Sequence, residues 1–155
     1  MYNFDKGMKE ATMKKCIPLL IAALTLLCAA LWCEAADKTP EGLVKEAKAA
    51  IKEVSVHDVK KMIDAKENII TLDVTDGHEF EQGHIPGAIN ISRGTLEFKV
   101  ALRIPDKNSK IIVYCGIDLR GTLAAKTLND LGYKDVANII GGLKVWKEAG
   151  YPIAK

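Results

Sequence analysis

The chain has 155 residues, enough for one domain of ordinary size, and its 22 Lys and Arg residues against 20 Asp and Glu residues leave a formal net charge of +2. Such a balance argues against a nucleic-acid-binding protein, whose surface carries clustered positive charge. Basic residues cluster only at the extreme N-terminus of the sequence. We therefore expect no nucleic-acid partner.

The N-terminal segment differs in composition from the rest of the chain. Several lysines precede an uncharged run at residues 16–33 that is rich in Leu and Ala. A positive n-region followed by an apolar h-region is typical of a secretory signal, and Cys33-Glu34-Ala35 places small residues where a signal peptidase inspects them. We therefore expect residues 1–35 to be a signal peptide. The alternative is an uncleaved membrane anchor, because the run is almost long enough to cross a bilayer.

Both interpretations place the rest of the chain on the same side of the membrane, because positive charge stays in the cytoplasm. The expected location is periplasmic or exported, and the alternative is an inner-membrane anchor with the domain facing the periplasm. Cleavage would also remove three of the four cysteines and leave Cys115. One cysteine cannot form an internal disulfide, so Cys115 is either a reactive thiol or a buried thiol that packs as a small hydrophobe.

The first predicted element of the remaining chain is an amphipathic helix over residues 36–53. Thr39-Pro40-Glu41 has the residue types of a helix start, with a capping hydroxyl, proline and an acid in the first turn. Apolar residues then recur at helical spacing from Leu43 to Val54. We expect this helix to pack on the outside of a main domain formed by residues 54–155.

The main domain alternates apolar strand candidates with helical patterns. Strands are predicted at residues 55–56, 69–74, 88–91, 111–114 and 136–140, and helices at residues 57–64, 96–102, 122–131 and 143–149. Alternation of this kind predicts an α/β fold with about five strands in a mostly parallel sheet flanked by helices. Right-handed crossovers would bring the loops that follow the strands to one edge of that sheet.

The strand at residues 111–114 runs directly into Cys115, a tight turn and a helix. This order places the thiol below a helix N-terminus, where unpaired N–H groups and the helix dipole stabilise a thiolate. Asp73 lies near the end of a neighbouring strand, so it is either a site residue or a structural acceptor that fixes the adjacent loops.

Two histidines in one loop raise the question of a metal site. His78 and His84 are six residues apart across a glycine, without the cysteines or spaced carboxylates of a usual metal site. We expect no metal and no other cofactor, and we expect His84 to bond to the loop backbone. Arg93 is expected to pair with Glu97 or with loop carbonyls.

Four motifs follow one another between about Val54 and Pro152. They are Leu72-Asp73-Val74, Glu79-Phe80-Glu81-Gln82-Gly83-His84-Ile85-Pro86-Gly87-Ala88, Tyr114-Cys115 with Arg120, and Gly141-Gly142-Leu143-Lys144-Val145-Trp146-Lys147-Glu148-Ala149-Gly150-Tyr151-Pro152. In these motifs and their order, the sequence resembles the single-domain rhodanese family of sulfurtransferases.

The resemblance implies that the Cys115 thiolate takes sulfane sulfur from a donor, forms a persulfide and passes the sulfur to a thiol or protein acceptor. The loop that follows would bind the donor through its N–H groups, with Asp73 and Arg93 in supporting roles. Its residues are Gly116, Ile117, Asp118, Leu119 and Arg120. Related phosphatases and arsenate reductases have one loop residue more, so the length of this loop favours sulfur over phosphate.

This chain departs from the family pattern in the same loop. Asp118 stands where active members commonly have glycine, and Arg120 is the only basic loop residue. A carboxylate beside the thiolate would disfavour the thiolate and repel an anionic donor. The expected donor is therefore thiosulfate, a persulfide or a polysulfide, with the last two more compatible with Asp118. The alternative function is a non-catalytic module that binds an anion or a protein partner, whereas a redox role is disfavoured because no resolving cysteine follows.

Overall fold

The computed structural model describes residues 38–155. The expected signal peptide, its cleavage site and the apolar run at residues 16–33 lie outside the described residues. Within residues 38–155, no helix combines the length and the apolar character needed to span a bilayer.

Five parallel strands form a single sheet in the order β1-β5-β4-β2-β3. This confirms the predicted α/β class and the number of strands. The strands are β1 (Lys52–Val54), β2 (Ile70–Asp73), β3 (Ile89–Asn90), β4 (Lys110–Tyr114) and β5 (Asp135–Ile139).

Six α-helices and one 3-10 turn accompany these strands within residues 38–155. The helices are α1 (Pro40–Ala50), α2 (Val56–Asp64), α3 (Gly77–Gln82), α4 (Leu96–Arg103), α5 (Leu119–Asp130) and α6 (Gly142–Glu148), and the 3-10 turn spans Arg93–Thr95. The predicted helices after the first one are confirmed to within a few residues.

The central strand β4 separates two apolar clusters because its side chains alternate between the faces of the sheet. Ile111 and Val113 join a cluster with apolar residues of α4 and α5. Ile112 and Tyr114 join the cluster on the opposite face, together with residues of α2 and α6. The two layers of helices therefore bury β4 on both sides, as expected for the middle of a parallel sheet.

The segment before α2 differs from the prediction. The helix that was predicted over residues 36–53 covers Pro40–Ala50, and Lys52–Val54 instead forms the edge strand β1, paired with β5. The predicted strand at residues 55–56 is wrong, because Ser55 caps α2 and accepts a hydrogen bond from the Asp58 N–H at 3.1 Å. Pairing with β5 thus determines the conformation of residues 52–54, although the apolar spacing up to Val54 predicts a helix.

Residues next to two helices stabilise the helix ends. The Thr39 hydroxyl accepts from the Gly42 N–H at 3.1 Å at the start of α1, as its residue type predicts. Gly132, just beyond the end of α5, has a φ of +89°, a conformation that favours glycine after a helix. His84 also bonds to the loop backbone as predicted, since its Nδ1 lies 3.0 Å from the Phe80 carbonyl oxygen.

Candidate active site

Cys115 lies between the C-terminal end of β4 and the first turn of α5, as the sequence predicts. The backbone N–H of Asp118 donates to the Cys115 Sγ over 3.3 Å. Cys115 is 1% exposed, so its thiol is enclosed by the loop and the apolar cluster beneath it. An N–H donor at a helix N-terminus is the arrangement that stabilises negative charge on sulfur.

The start of α6 fixes the Cys115 loop from one side. The N–H groups of Leu143 and Lys144 donate to the carbonyl oxygens of Cys115 and Gly116 at 2.8 and 2.9 Å. Gly142 makes this approach feasible, because its φ is +59° and a Cβ atom there would lie 2.3 Å from the Cys115 oxygen. Gly142 therefore allows α6 to pack directly against the Cys115 loop.

Arg120, the basic residue of the loop, is held by a carboxylate from α3. Its two terminal nitrogens donate to the two oxygens of Glu79 at 2.6 and 2.7 Å. The Arg120 hydrogen bonds are the main reason that the pKa of Glu79 is lowered from 4.5 to about 2. The same pair raises the pKa of Arg120, which stays charged. The positive charge expected at the rim of the loop is thus largely neutralised by Glu79.

The Asp118 carboxylate is also paired, and its partners come from outside the loop. Lys48 of α1 donates to its Oδ2 at 2.6 Å, and the side-chain amide of Asn138 in β5 donates to its Oδ1 at 2.6 Å. Asp118 is buried, with 12% of its side chain exposed. The sequence alone predicted an uncompensated charge beside the thiolate, whereas the structure supplies Lys48 as a counter-charge.

The two apolar side chains between Gly116 and Arg120 face solvent. Ile117 is 63% exposed and Leu119 is 50% exposed. Next to Gly116, a cleft of about 350 Å³ opens between α3 and α6 and brings two lysines to the loop. Its lining consists of Thr75, Glu79, Gln82, Gly83, Gly116, Leu143, Lys144 and Lys147. The sequence motifs contained these lysines but gave no signal that they would border the site.

The two predicted supporting residues lie near the loop without contacting Cys115. Asp73 is fully buried and accepts from the N–H and the hydroxyl of Thr75 at 2.8 and 2.6 Å, so it fixes the turn after β2. This geometry matches the structural role that the sequence left open for it. Arg93 donates to Glu97 at 2.8 Å, as predicted, and to the Thr127 hydroxyl at 3.0 Å, which joins the 3-10 turn before α4 to α5.

Metal ligands are not grouped in the part of the chain that the structure describes. Among residues 38–155, no three His, Cys, Asp or Glu side chains are arranged to hold an ion. His84 instead stacks on Phe80, with their ring centroids 3.7 Å apart.

Residues 55–149 match the Rhodanese-like domain family. This match spans more than half of the chain and contains the whole loop from Cys115 to Arg120. The chain belongs to the rhodanese family.

Individual rhodanese relatives cover the same region. The chain is 32% identical over 101 residues to the thiosulfate sulfurtransferase GlpE of Shewanella oneidensis, covering 65% of this chain and 97% of GlpE. It is 34% identical over 101 residues to YrkF, a candidate sulfur carrier protein of Bacillus subtilis, covering 65% of this chain and 54% of YrkF. The matched region thus spans nearly all of GlpE but about half the length of YrkF.

A solved structure from Rhodopseudomonas palustris shares the fold with a TM-score of 0.71. It is 30% identical, covering 78% of this chain and 98% of the other, and belongs to a protein of unknown function described as a possible tyrosine phosphatase. A rhodanese-related protein of Thermoplasma volcanium also shares the fold, with a TM-score of 0.59 and 28% identity, covering 66% of this chain and 97% of the other. The rhodanese fold of the described residues is therefore shown by sequence and by structure.

Proposed function

We propose that this rhodanese is a sulfurtransferase that carries sulfane sulfur as a persulfide on Cys115. The observation that carries the proposal is the 3.3 Å hydrogen bond from the Asp118 N–H to the Cys115 Sγ, at the first turn of a twelve-residue helix. A donor in this position stabilises the thiolate that attacks, and it also stabilises the thiolate that is regenerated after transfer. The sulfurtransferase relatives support the same chemistry.

The proposed reaction has two displacement steps. The Cys115 thiolate attacks the outer sulfur of the donor, a sulfur–sulfur bond forms, and the bond within the donor breaks. With thiosulfate, sulfite leaves with the electron pair; with a persulfide or polysulfide, a thiolate or a shorter polysulfide leaves. An acceptor thiolate then attacks the terminal sulfur of the Cys115 persulfide, takes that sulfur, and releases the Cys115 thiolate.

Charge around the loop bears on the class of donor. Glu79 neutralises Arg120 and Lys48 neutralises Asp118, so the loop itself presents little net charge to a substrate. The cleft beside Gly116 offers Lys144 and Lys147 instead. We propose that these lysines attract an anionic donor, a class that includes both thiosulfate and polysulfide.

The function is tested by the mass of Cys115 after exposure to donors. The full chain is incubated with thiosulfate or with polysulfide, and the peptide that contains Cys115 is analysed by mass spectrometry. The expected result is a gain of one sulfur atom on Cys115, which is then lost on addition of a thiol acceptor. A Cys115→Ser variant is the control, and a peptide that gains no sulfur from either donor would overturn the proposal.

A second function is a non-catalytic module that binds an anion or a protein partner through the same loop. The observation in its favour is the exposure of Ile117 and Leu119 on the loop, 63% and 50%, which offers apolar contact to a protein partner. The pair of Glu79 with Arg120 makes an anion the less favoured ligand. Such a module keeps its ligand when Cys115 is replaced by Ser, whereas a sulfurtransferase loses turnover. Phosphatase activity is disfavoured by the short loop, and we expect no phosphate release from p-nitrophenyl phosphate.

We also propose that the domain works outside the cytoplasm. The support is the lysine-rich start and the apolar run at residues 16–33, which precede Cys33-Glu34-Ala35. Expression of the full chain in a bacterium, followed by fractionation and N-terminal sequencing, tests this proposal. A mature protein beginning at Ala36 in the periplasm is expected, a full-length membrane-bound chain indicates the anchor, and a full-length cytoplasmic chain would overturn export.

A further inference from the structure

The carboxylate of Asp118, three residues after the proposed nucleophile, contacts side chains from three secondary-structure elements. Its Oδ2 accepts from Lys48 at 2.6 Å, and its Oδ1 accepts from the Asn138 amide at 2.6 Å and lies 3.5 Å from the Thr122 hydroxyl. The groups that surround it therefore come from α1, β5 and α5. Lys48 is the only one of these three donors that carries a charge.

The backbone of Asp118 adopts a conformation that a residue with a side chain rarely adopts. Its φ is +115° and its ψ is −48°. Strained backbone of this kind persists when the surrounding contacts hold it. The N–H of this same residue is the donor to the Cys115 Sγ, so the contacts that hold the Asp118 side chain also aim that N–H.

The counter-charge on Asp118 depends on α1, the helix that precedes the first strand. Lys48 lies between two carboxylates, at 2.6 Å from Asp118 and 3.5 Å from Glu53, and the nearer one is the buried one. Hydrogen bonding to Asp118 is the largest cause that raises the pKa of Lys48, so the ammonium stays charged while Asp118 is ionised. Of the other charged groups near the loop, Arg120 is paired with Glu79 and lies 4.0 Å from Asp76. Lys144 and Lys147 line the cleft beside Gly116.

We propose that Lys48 is a positioning residue for sulfur transfer. Through Lys48, α1 contributes to the reactivity of Cys115. Lys48 cancels the negative charge of Asp118 near the thiolate and holds the strained backbone whose N–H reaches Sγ. Without Lys48, the carboxylate of the residue whose N–H donates to Sγ is left uncompensated, and a negative charge on that residue disfavours the thiolate. The catalytic consequence of this inference rests on the proposed function, whereas the electrostatic link between Lys48 and Cys115 does not.

The test measures how the reactivity of Cys115 depends on pH in variants of the full chain. Cys16, Cys28 and Cys33 are replaced by Ser in every variant, so that alkylation by iodoacetamide reports Cys115. The rate is measured across a range of pH for the parent chain, for Lys48→Met and for Lys45→Met. Lys45 is the matched control, because it is an exposed lysine on the same helix.

For Lys48→Met, we expect the midpoint of the alkylation profile to rise by at least about 0.5 pH unit and the rate near neutral pH to fall about threefold. Lys45→Met should keep the parent profile. Lys48→Arg, which retains the positive charge, should stay close to the parent. Adding Asp118→Asn to Lys48→Met should lower the midpoint again, because the uncompensated carboxylate is then absent.

An unchanged midpoint in a folded Lys48→Met variant would overturn the inference. If Lys48→Met does not fold, Lys48→Gln replaces it, and the same rise of the midpoint is expected because the positive charge is again absent. A midpoint that does not rise in Lys48→Gln then counts against the inference. The result is separable from the proposed function, because failure to form a persulfide in the parent chain leaves the alkylation profile intact.

Discussion

Replacing Gly142 with alanine tests how closely α6 must approach the Cys115 loop. The added Cβ would lie 2.3 Å from the Cys115 carbonyl oxygen and 3.1 Å from the Asp118 nitrogen. Both atoms belong to backbone, so neither can rotate away as a flexible side chain would. The loop or α6 must therefore shift, and the N–H groups of Leu143 and Lys144 that donate to the loop carbonyls shift with it.

The expected cost of Gly142→Ala has two parts. A residue with a side chain at positive φ costs about 1–2 kcal/mol, and forcing extra volume into a packed site costs about 1–3 kcal/mol more. We therefore expect the free energy of unfolding to fall by roughly 2–5 kcal/mol. The proposed persulfide formation at Cys115 should slow as well, because the donor to Sγ lies within the displaced loop.

The matched control is Gly132→Ala. Gly132 also has a positive φ, +89°, but a Cβ there would have no neighbour within 4 Å among the described residues. In Gly132→Ala, the free energy of unfolding should therefore fall only by the cost of the positive φ, about 1–2 kcal/mol. Urea unfolding of both variants, followed by circular dichroism, measures the difference. If the free energy of unfolding falls equally in the two variants, the Cβ at position 142 causes no steric clash with the Cys115 loop, which refutes this reasoning.

Two further changes probe the contacts that support the site. Glu79→Gln should lower the free energy of unfolding by ~1 kcal/mol or less near neutral pH, because the pair with Arg120 is about one-third exposed. Since the folded pKa of Glu79 is depressed from 4.5 to about 2, its stabilisation is present above pH 4.5 and lost as the pH falls towards 2. The difference from the parent should therefore shrink in acid, and a constant difference would contradict the pairing. Tyr114→Phe removes the hydroxyl oxygen that accepts from the buried Ile85 N–H at 3.0 Å, and should cost about 1–3 kcal/mol in urea unfolding; a loss near zero would contradict that assignment.

Most of the fold was predictable because its signals are local. The β-branched runs, the glycine after α5 and the capping residue Thr39 each act within a few positions of their place in the sequence. The exception is β1, because its Val54 continues the apolar spacing of α1. Its strand conformation depends on pairing with β5, more than eighty positions away, and spacing within a short window contains no such information.

The site was predictable in its centre and not in its charge balance. Cys115 and the loop up to Arg120 are contiguous in sequence, so the strand, turn and helix pattern located them. The partners that neutralise the loop are distant in sequence, since Glu79 is 41 positions from Arg120 and Lys48 is 70 positions from Asp118. Those pairs arise from the packing of α3 and α1 against the loop, which only the folded chain displays.

Sulfur transfer through Cys115 is tested most directly by the mass of the Cys115 peptide after the full chain is incubated with polysulfide. We expect that peptide to gain one sulfur atom, to lose it to an added thiol, and to gain none in Cys115→Ser. A Cys115 peptide of unchanged mass, from a folded chain supplied with both thiosulfate and polysulfide, would contradict a sulfurtransferase that works through Cys115.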